Sequence, residues 1–244
     1  MTMQPHIPAC GNCPIRHNAV CAECDADELA VLERAKSYRQ VPAGTSLASA
    51  GEPLHYLSSI VTGSATMSRT LEDGRRQMVG LLLPSDFIGR PGRSASAYDV
   101  VALSDVTLCR FERRTFERLV RETPHIATRL LTMTLDELDA ARDWTVVLGR
   151  MTARERLAAF LVSLARRRAR SGAGAGRALT LQLPLSREAM ADHLGLTIET
   201  TSRQVTALRK DGLIETPSLR EIRIPDLERL ALEAGDDADG GILS

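Results

Sequence analysis

Residues 185–215 read LSREAMADHLGLTIETTSRQVTALRKDGLIE, and two helices joined by a tight turn can be read from them. Ser186 stands where a helix N-cap is wanted, and Glu188 sits near the positive end of the helix dipole. This predicts a helix over 187–194. Gly195 supplies the turn, Thr197 caps a second helix running to about Asp211, and Gly212 ends it. Two short helices with glycine between them form the unit that lays its second helix in the DNA major groove. The stretch LIETPSLREIRIP at 213–225 then reads as a small β-wing.

On the second helix Glu199, Ser202 and Arg203 fall at i, i+3 and i+4, on one face near its N-terminal end. Arg203 can bond guanine O6 and N7 together, Glu199 can accept from cytosine N4, and Ser202 can reach a base edge or a thymine methyl. Thr197 and Arg209 complete the candidate DNA-contacting set. A plain intrahelical Glu199–Arg203 pair is the alternative reading of the same spacing. Thr201 and Gln204 occupy positions that are usually apolar in such a motif, which predicts looser or slightly rotated packing.

Charge points the same way. The whole chain carries 31 basic and 31 acidic residues, but residues 150–224 hold 14 Arg and Lys against 7 Asp and Glu. Residues 225–244 come to −5 and the first 149 to −2. The neutral total hides one basic segment, as expected of a nucleic-acid-facing domain attached to something else. ARRRAR at 165–170, read alone, is also a solvated basic linker.

Upstream, TARERLAAFLVSLARRRAR predicts an amphipathic helix to about Arg170, followed by a flexible Ser-Gly-Ala stretch at 171–176 and a strand around Leu179–Leu183. Before that, PHIATRLLTMTLDELDAARDWTVVLGRM (124–151) has no internal proline, and no glycine until Gly149. It predicts a helix of about 25 residues, roughly 37 Å long. Ala127, Leu131, Thr134, Leu138, Ala141, Thr145 and Leu148 step alternately by four and three, a heptad seam for a homodimer. Alanine and threonine fill four of the seven positions, so the expected dimer is marginal. A helix packed on its own sheet is the alternative.

From Val41 to about Phe111 short apolar runs alternate with glycine turns, and SATMSRTLEDGRRQMVGLLLP reads as a hairpin across Glu72-Asp73-Gly74. This predicts an antiparallel β-roll or jelly-roll sandwich. The fold class is α+β: N-terminal β-roll, long dimerisation helix, C-terminal winged helix-turn-helix.

Four of five cysteines lie at the N-terminus, Cys10, Cys13, Cys21 and Cys24, spaced C-x2-C-x7-C-x2-C; the fifth is Cys109. There is no secretory signal pattern and no apolar run near the 20 or so residues a membrane helix needs, so a cytoplasmic protein is expected. In a reducing compartment clustered thiols bind metal or do redox chemistry rather than form structural disulfides. A four-thiolate zinc site on Cys10, Cys13, Cys21 and Cys24 fits the spacing. The five histidines show no ligand spacing, though His17 lies inside the cysteine loop. A thiol-redox enzyme is the third alternative, but no βαβ context and no nucleophile–base–acid set accompanies the two C-x-x-C pairs, so no enzyme activity is expected.

Roll, seam helix and winged helix-turn-helix in this order resemble the catabolite activator/FNR superfamily of transcription regulators over essentially the whole chain. E-T-T-S-R at 199–203 matches the E-x-x-S-R recognition pattern of the FNR branch, and LCRFERRTFERLV puts Cys109 at that branch's central ligand position. LEDGRRQMVGLLLPSDFIGRPG and TLDELDAARDW are similar to the FnrL subgroup. The resemblance implies an oxygen-labile [4Fe-4S] cluster on Cys10, Cys13, Cys21 and Cys109, with Cys24 spare or a substitute ligand, and with Pro14 and Val20 flanking ligands where oxygen access is tuned. It further implies iron-dependent dimerisation, a TTGAT-N4-ATCAA-like palindrome in double-stranded DNA, and RNA polymerase as partner. GRSASAY at 92–98 is similar to the phosphate clamp of nucleotide-binding relatives, but Arg90 stands where they carry an acid, which argues against a nucleotide. The expected domains are a cysteine-rich segment (1–24), β-roll (25–123), dimerisation helix (124–150), winged helix-turn-helix (151–235) and a flexible acidic tail (236–244).

Overall fold

In the computed structural model, which describes residues 9–170 and 178–235, the hairpin predicted around Gly74 is one edge of a roll made from two four-stranded antiparallel sheets. Its strands are β1 (Lys36–Val41), β2 (Ser46–Ala48), β3 (Tyr56–Thr62), β4 (Ala65–Thr70), β5 (Arg76–Leu82), β6 (Phe87–Ile88), β7 (Asp99–Ala102) and β8 (Val106–Glu112). One sheet runs β1-β8-β3-β6 and the other β2-β7-β4-β5. Val41, Ile60, Ala65, Leu82, Ile88, Val100, Ala102, Val106 and Leu108 form the core of the roll. Gly89 is required where β6 ends: a Cβ there would lie 2.5 Å from Leu57 Cδ2.

Strand β3 is buried from Leu57 through Val61, on both faces. Ile60 points into the roll. Leu57 and Val61 point outward, into two clusters that contain the cysteines. A strand covered on both sides reads as a continuous buried run rather than an alternation. What covers the outer face is the N-terminal segment and helix α1 (Ala26–Ala35), together with α2 (Arg113–Glu122). Residues 25–35 are therefore not part of the roll, as the sequence reading had them. Asp25 accepts from the Glu28 N–H while the Glu28 side chain accepts from the Asp25 N–H, a complete capping box.

The long helix, α3 (Pro124–Arg150), spans 27 residues, and the chain divides within it, after Thr134, into two compact units. In the second unit α4 (Ala153–Arg170) is followed by β9 (Leu179–Gln182), α5 (Arg187–Leu194), α6 (Ile198–Lys210), β10 (Glu215–Ser218), β11 (Glu221–Ile224) and α7 (Leu227–Glu233). Strands β10, β11 and β9 form the wing sheet, with β9 on β11. The Ser186 hydroxyl accepts from the Ala189 N–H, and Gly195 ends α5 in the left-handed conformation at φ 62°. Arg154 joins α4 to both Asp211 and Glu233. The stretch at 171–177 and the acidic tail at 236–244 lie outside the described residues.

Candidate functional site

The cysteine loop begins with a single 3-10 turn, Cys10–Asn12, and is held closed by one side chain that the sequence reading did not single out. Arg16 donates to the carbonyls of Cys21 at 2.6 Å, Ala22 at 2.5 Å and Cys24 at 2.7 Å. It satisfies three backbone acceptors of an irregular segment that has no sheet or helix to do so. Under the loop, Cys109 on β8 stands in register between Tyr38 of β1 and Ser59 of β3. Cys13, Cys21, Cys109 and Tyr38 pack on Ile15, Ala19 and Val61, while Cys10 and Cys24 join Leu57 and Phe111 in the adjoining cluster, against which Cys21 and Cys109 also pack.

Burial pushes the Cys109 thiol up to about 12, and the thiols that bear on it most are Cys10, Cys13 and Cys21. Cys24 is also pushed up to about 12, first by burial and then by the Glu28 carboxylate; Cys21 is the thiol that acts on it. Cys10 is raised to about 11 by burial and Glu33, against the opposing pull of Lys36. Burial raises Cys21 as well. Four of the five thiols are thus held toward the protonated form.

Lys36 has its side chain 5% exposed. It donates to Cys10 Sγ at 3.3 Å and to Glu33 at 2.7 Å, and Glu33 also accepts from the Cys10 N–H at 2.6 Å. These bonds hold the Glu33 carboxyl down to about 2. Among the described residues the one set of three metal-binding side chains with donor atoms all within 4.8 Å of one another is Asp25, Glu28 and His125. Capping and a His125–Glu28 pair at 2.8 Å account for that set. No three thiols approach so closely. His17 and Pro14 are exposed, and Val20 is buried.

The loop is fastened to the start of α3. Arg129 donates to the carbonyls of Asn18 at 2.8 Å and Ala19 at 3.4 Å. Ile126 packs in the same cluster as Cys10, Val20 and Cys24. Along α3, Leu131 is 61% exposed and Leu138 43%; Thr134, Ala141 and Thr145 are exposed, and Ala127 and Leu148 half-buried. The Thr134 and Thr145 hydroxyls bond back to the carbonyls of Leu130 and Ala141, so they are satisfied within the helix.

On α6 the candidate DNA-contacting residues Thr197, Glu199, Ser202, Arg203 and Arg209 are all exposed, while Thr201, Val205 and Leu208 face inward. Thr197 caps the helix, accepting from the Thr200 N–H. Arg203 donates to Thr200 Oγ1 at 3.0 Å rather than closing an ion pair on Glu199. Thr201 is fully buried, its hydroxyl unpartnered among the described residues, so its methyl does the packing, and Gln204 lies half-buried at the margin. At the other candidate site, Arg90, Gly92 and Arg93 are exposed, and the Gly92 N–H is bonded to Glu117.

Comparison with known proteins agrees with both halves. Residues 155–232 match the Crp-like helix-turn-helix domain and residues 38–123 the cyclic nucleotide-binding domain. Transcriptional activator protein FnrL of Cereibacter sphaeroides is 55% identical over 237 residues, 96% of this chain and 94% of its own. Nitrogen fixation regulation protein FixK of Bradyrhizobium diazoefficiens is 37% identical over 87% of this chain and 88% of its own. The solved structure of FixK2 from Bradyrhizobium japonicum superposes with a TM-score of 0.73 at 30% identity, covering 81% of this chain and 96% of that one. A CooA variant from Carboxydothermus hydrogenoformans shares the fold, with a TM-score of 0.70 at 22% identity. With its roll, its long helix and its winged helix-turn-helix, the chain belongs to the Crp/FNR superfamily, and within it to the FnrL-like regulators.

Proposed function

We propose that this protein is an oxygen-responsive transcription activator, with Cys10, Cys13, Cys21 and Cys109 holding a [4Fe-4S] cluster that favours the dimer and its binding to a TTGAT-N4-ATCAA-like palindrome. The observation that carries the reading is the setting of Cys109: on β8 between β1 and β3, packed in the two clusters that also hold the N-terminal cysteines, with Cys10, Cys13 and Cys21 the thiols whose charge acts on it. The donor set fits the group, since thiolates are the usual ligands of iron–sulfur clusters. A four-thiolate zinc site on Cys10, Cys13, Cys21 and Cys24 is the competing reading of the same loop. When bound, the cluster supplies iron–thiolate bonds that oxygen can destroy.

The chain's own residues do the rest. Arg16 keeps the loop closed. Arg129 and Ile126 tie it to the first turns of α3, so the ordering of the loop and of the seam helix are coupled. Exposed Leu131 and Leu138 on that helix meet their counterparts in a second copy. Two copies then present two recognition helices about one helical turn apart, where Arg203, Glu199 and Ser202 read the half-sites. RNA polymerase is the protein partner of such an activator.

Protein purified without oxygen is expected to be brown, with nearly equal iron and acid-labile sulfide, and to bleach and lose dimer in air. Cys24→Ala should keep the iron and Cys109→Ala should lose it. A colourless protein carrying one zinc and indifferent to air would overturn the sensing reading and leave the DNA-binding half in place.

A further inference from the structure

Ser59 is 2% exposed, and its hydroxyl has no hydrogen-bond partner among the described residues. A buried hydroxyl without a partner is costly relative to one that is satisfied, so its position matters. Ser59 pairs with Cys109 across β3 and β8, and side chains of directly opposed residues project from the same face of a sheet. Its neighbours on that face, Leu57 and Val61, belong to the two clusters that contain Cys10, Cys24, Cys13, Cys21 and Cys109. The hydroxyl therefore lies on the floor of the cysteine site. A serine here is not explained by packing, since Leu57 and Val61 on either side are apolar.

We propose that the Ser59 hydroxyl is a hydrogen-bond donor to the sulfur of the bound cluster, and that with the Lys36 ammonium on Cys10 it sets how readily the cluster is oxidised. This rests on the cluster reading above. The two donors enter from opposite sides of the site: Lys36 from β1 onto Cys10 Sγ, Ser59 from β3 beside Cys109. Hydrogen bonds to the sulfurs are among the factors that set the potential of iron–sulfur centres. A donor stabilises the more reduced, more negative state, so each one resists loss of an electron to oxygen. No group in the chain changes protonation or bonding in this role; Ser59 and Lys36 act only through the position of a proton donor.

The test uses full-length protein purified without oxygen, as wild type, Ser59→Ala and Lys36→Met. Iron and sulfide are counted first, then resonance Raman spectra are taken in light and heavy water, then bleaching is followed in air. Ser59→Ala removes an unpartnered buried hydroxyl, so the metal-free variant should melt no lower than the wild type. At equal loading it should lose part of the heavy-water shift of the iron–sulfur bands and bleach at least threefold faster; Lys36→Met should do the same independently. Equal bleaching and an unchanged isotope shift in Ser59→Ala would overturn this inference alone. Wild-type protein without iron and sulfide would overturn the cluster reading and this inference with it.

Discussion

Trp144 lies flat against His193, ring centroids 4.4 Å apart and planes 18° from parallel, so the last turns of α3 grip the first helix of the helix-turn-helix. Phe160 of α4 meets the same imidazole edge-on at 5.2 Å. The indole N–H is buried without a partner among the described residues, so Trp144 contributes here through its ring surface. Trp144→Phe should therefore hold stability to within about 1 kcal/mol, while Trp144→Ala should cost about 3 kcal/mol. Urea unfolding of both variants checks the difference, and equal losses would show that the indole nitrogen matters after all.

The seam helix gives a second expectation. Leu138 is exposed in the single chain and lies on the heptad stripe. Leu138→Glu should leave the helical circular dichroism of the subunit unchanged and raise the dimer dissociation constant at least about tenfold, or 1.4 kcal/mol. Sedimentation equilibrium measures it. An unchanged constant would put the dimer interface elsewhere.

In the second unit, Arg203 is exposed on α6 and donates to Thr200 Oγ1 at 3.0 Å. Releasing that contact to bond a guanine should be easy. Arg203→Ala is expected to weaken binding by about 1–3 kcal/mol and to relax discrimination at one base pair of each half-site. Titrations across a panel of singly mutated palindromes would reveal it, and a uniform loss over the panel would instead mean a phosphate contact.

Alkali should act on the metal-free protein through its thiols. Burial raises Cys109 and Cys24 to about 12 and Cys10 to about 11, from an ordinary 9.0. The folded state then binds more protons than the unfolded one between these values, and stability falls as pH rises. The contribution is complete below pH 9 and disappears as pH climbs toward 12. Melting temperatures of metal-free protein from pH 8 to 10.5 should decline, and Cys109→Ala should flatten that decline. An identical slope in the variant would mean that Cys109 is not shielded from water.

The helix-turn-helix could be read from sequence because its signals are local. Ser186, Gly195 and Thr197 each act within four residues of themselves, and α5 spans the predicted 187–194. Helix α1 carried a comparable signal in Asp25 and Glu28, which the cysteine spacing overshadowed. Arg16 and Arg129 were not legible, since both bond backbone carbonyls, and Arg129 reaches carbonyls 110 and 111 positions away. Ser59 and Lys36 were hidden for a related reason. Only the pairing of β1, β3 and β8 brings them under the cysteine loop.

Strands β3 and β8 have one further consequence. Every residue of the core between the two sheets comes from the strands of the roll, and none is a cysteine. Whatever the N-terminal loop holds can therefore be stripped away without opening that core, because the roll never depended on it for its interior. Damage stays confined to a lining on the outer face. Under the proposed cluster reading, a subunit stripped of its cluster is expected to keep a folded roll and to accept another cluster without refolding.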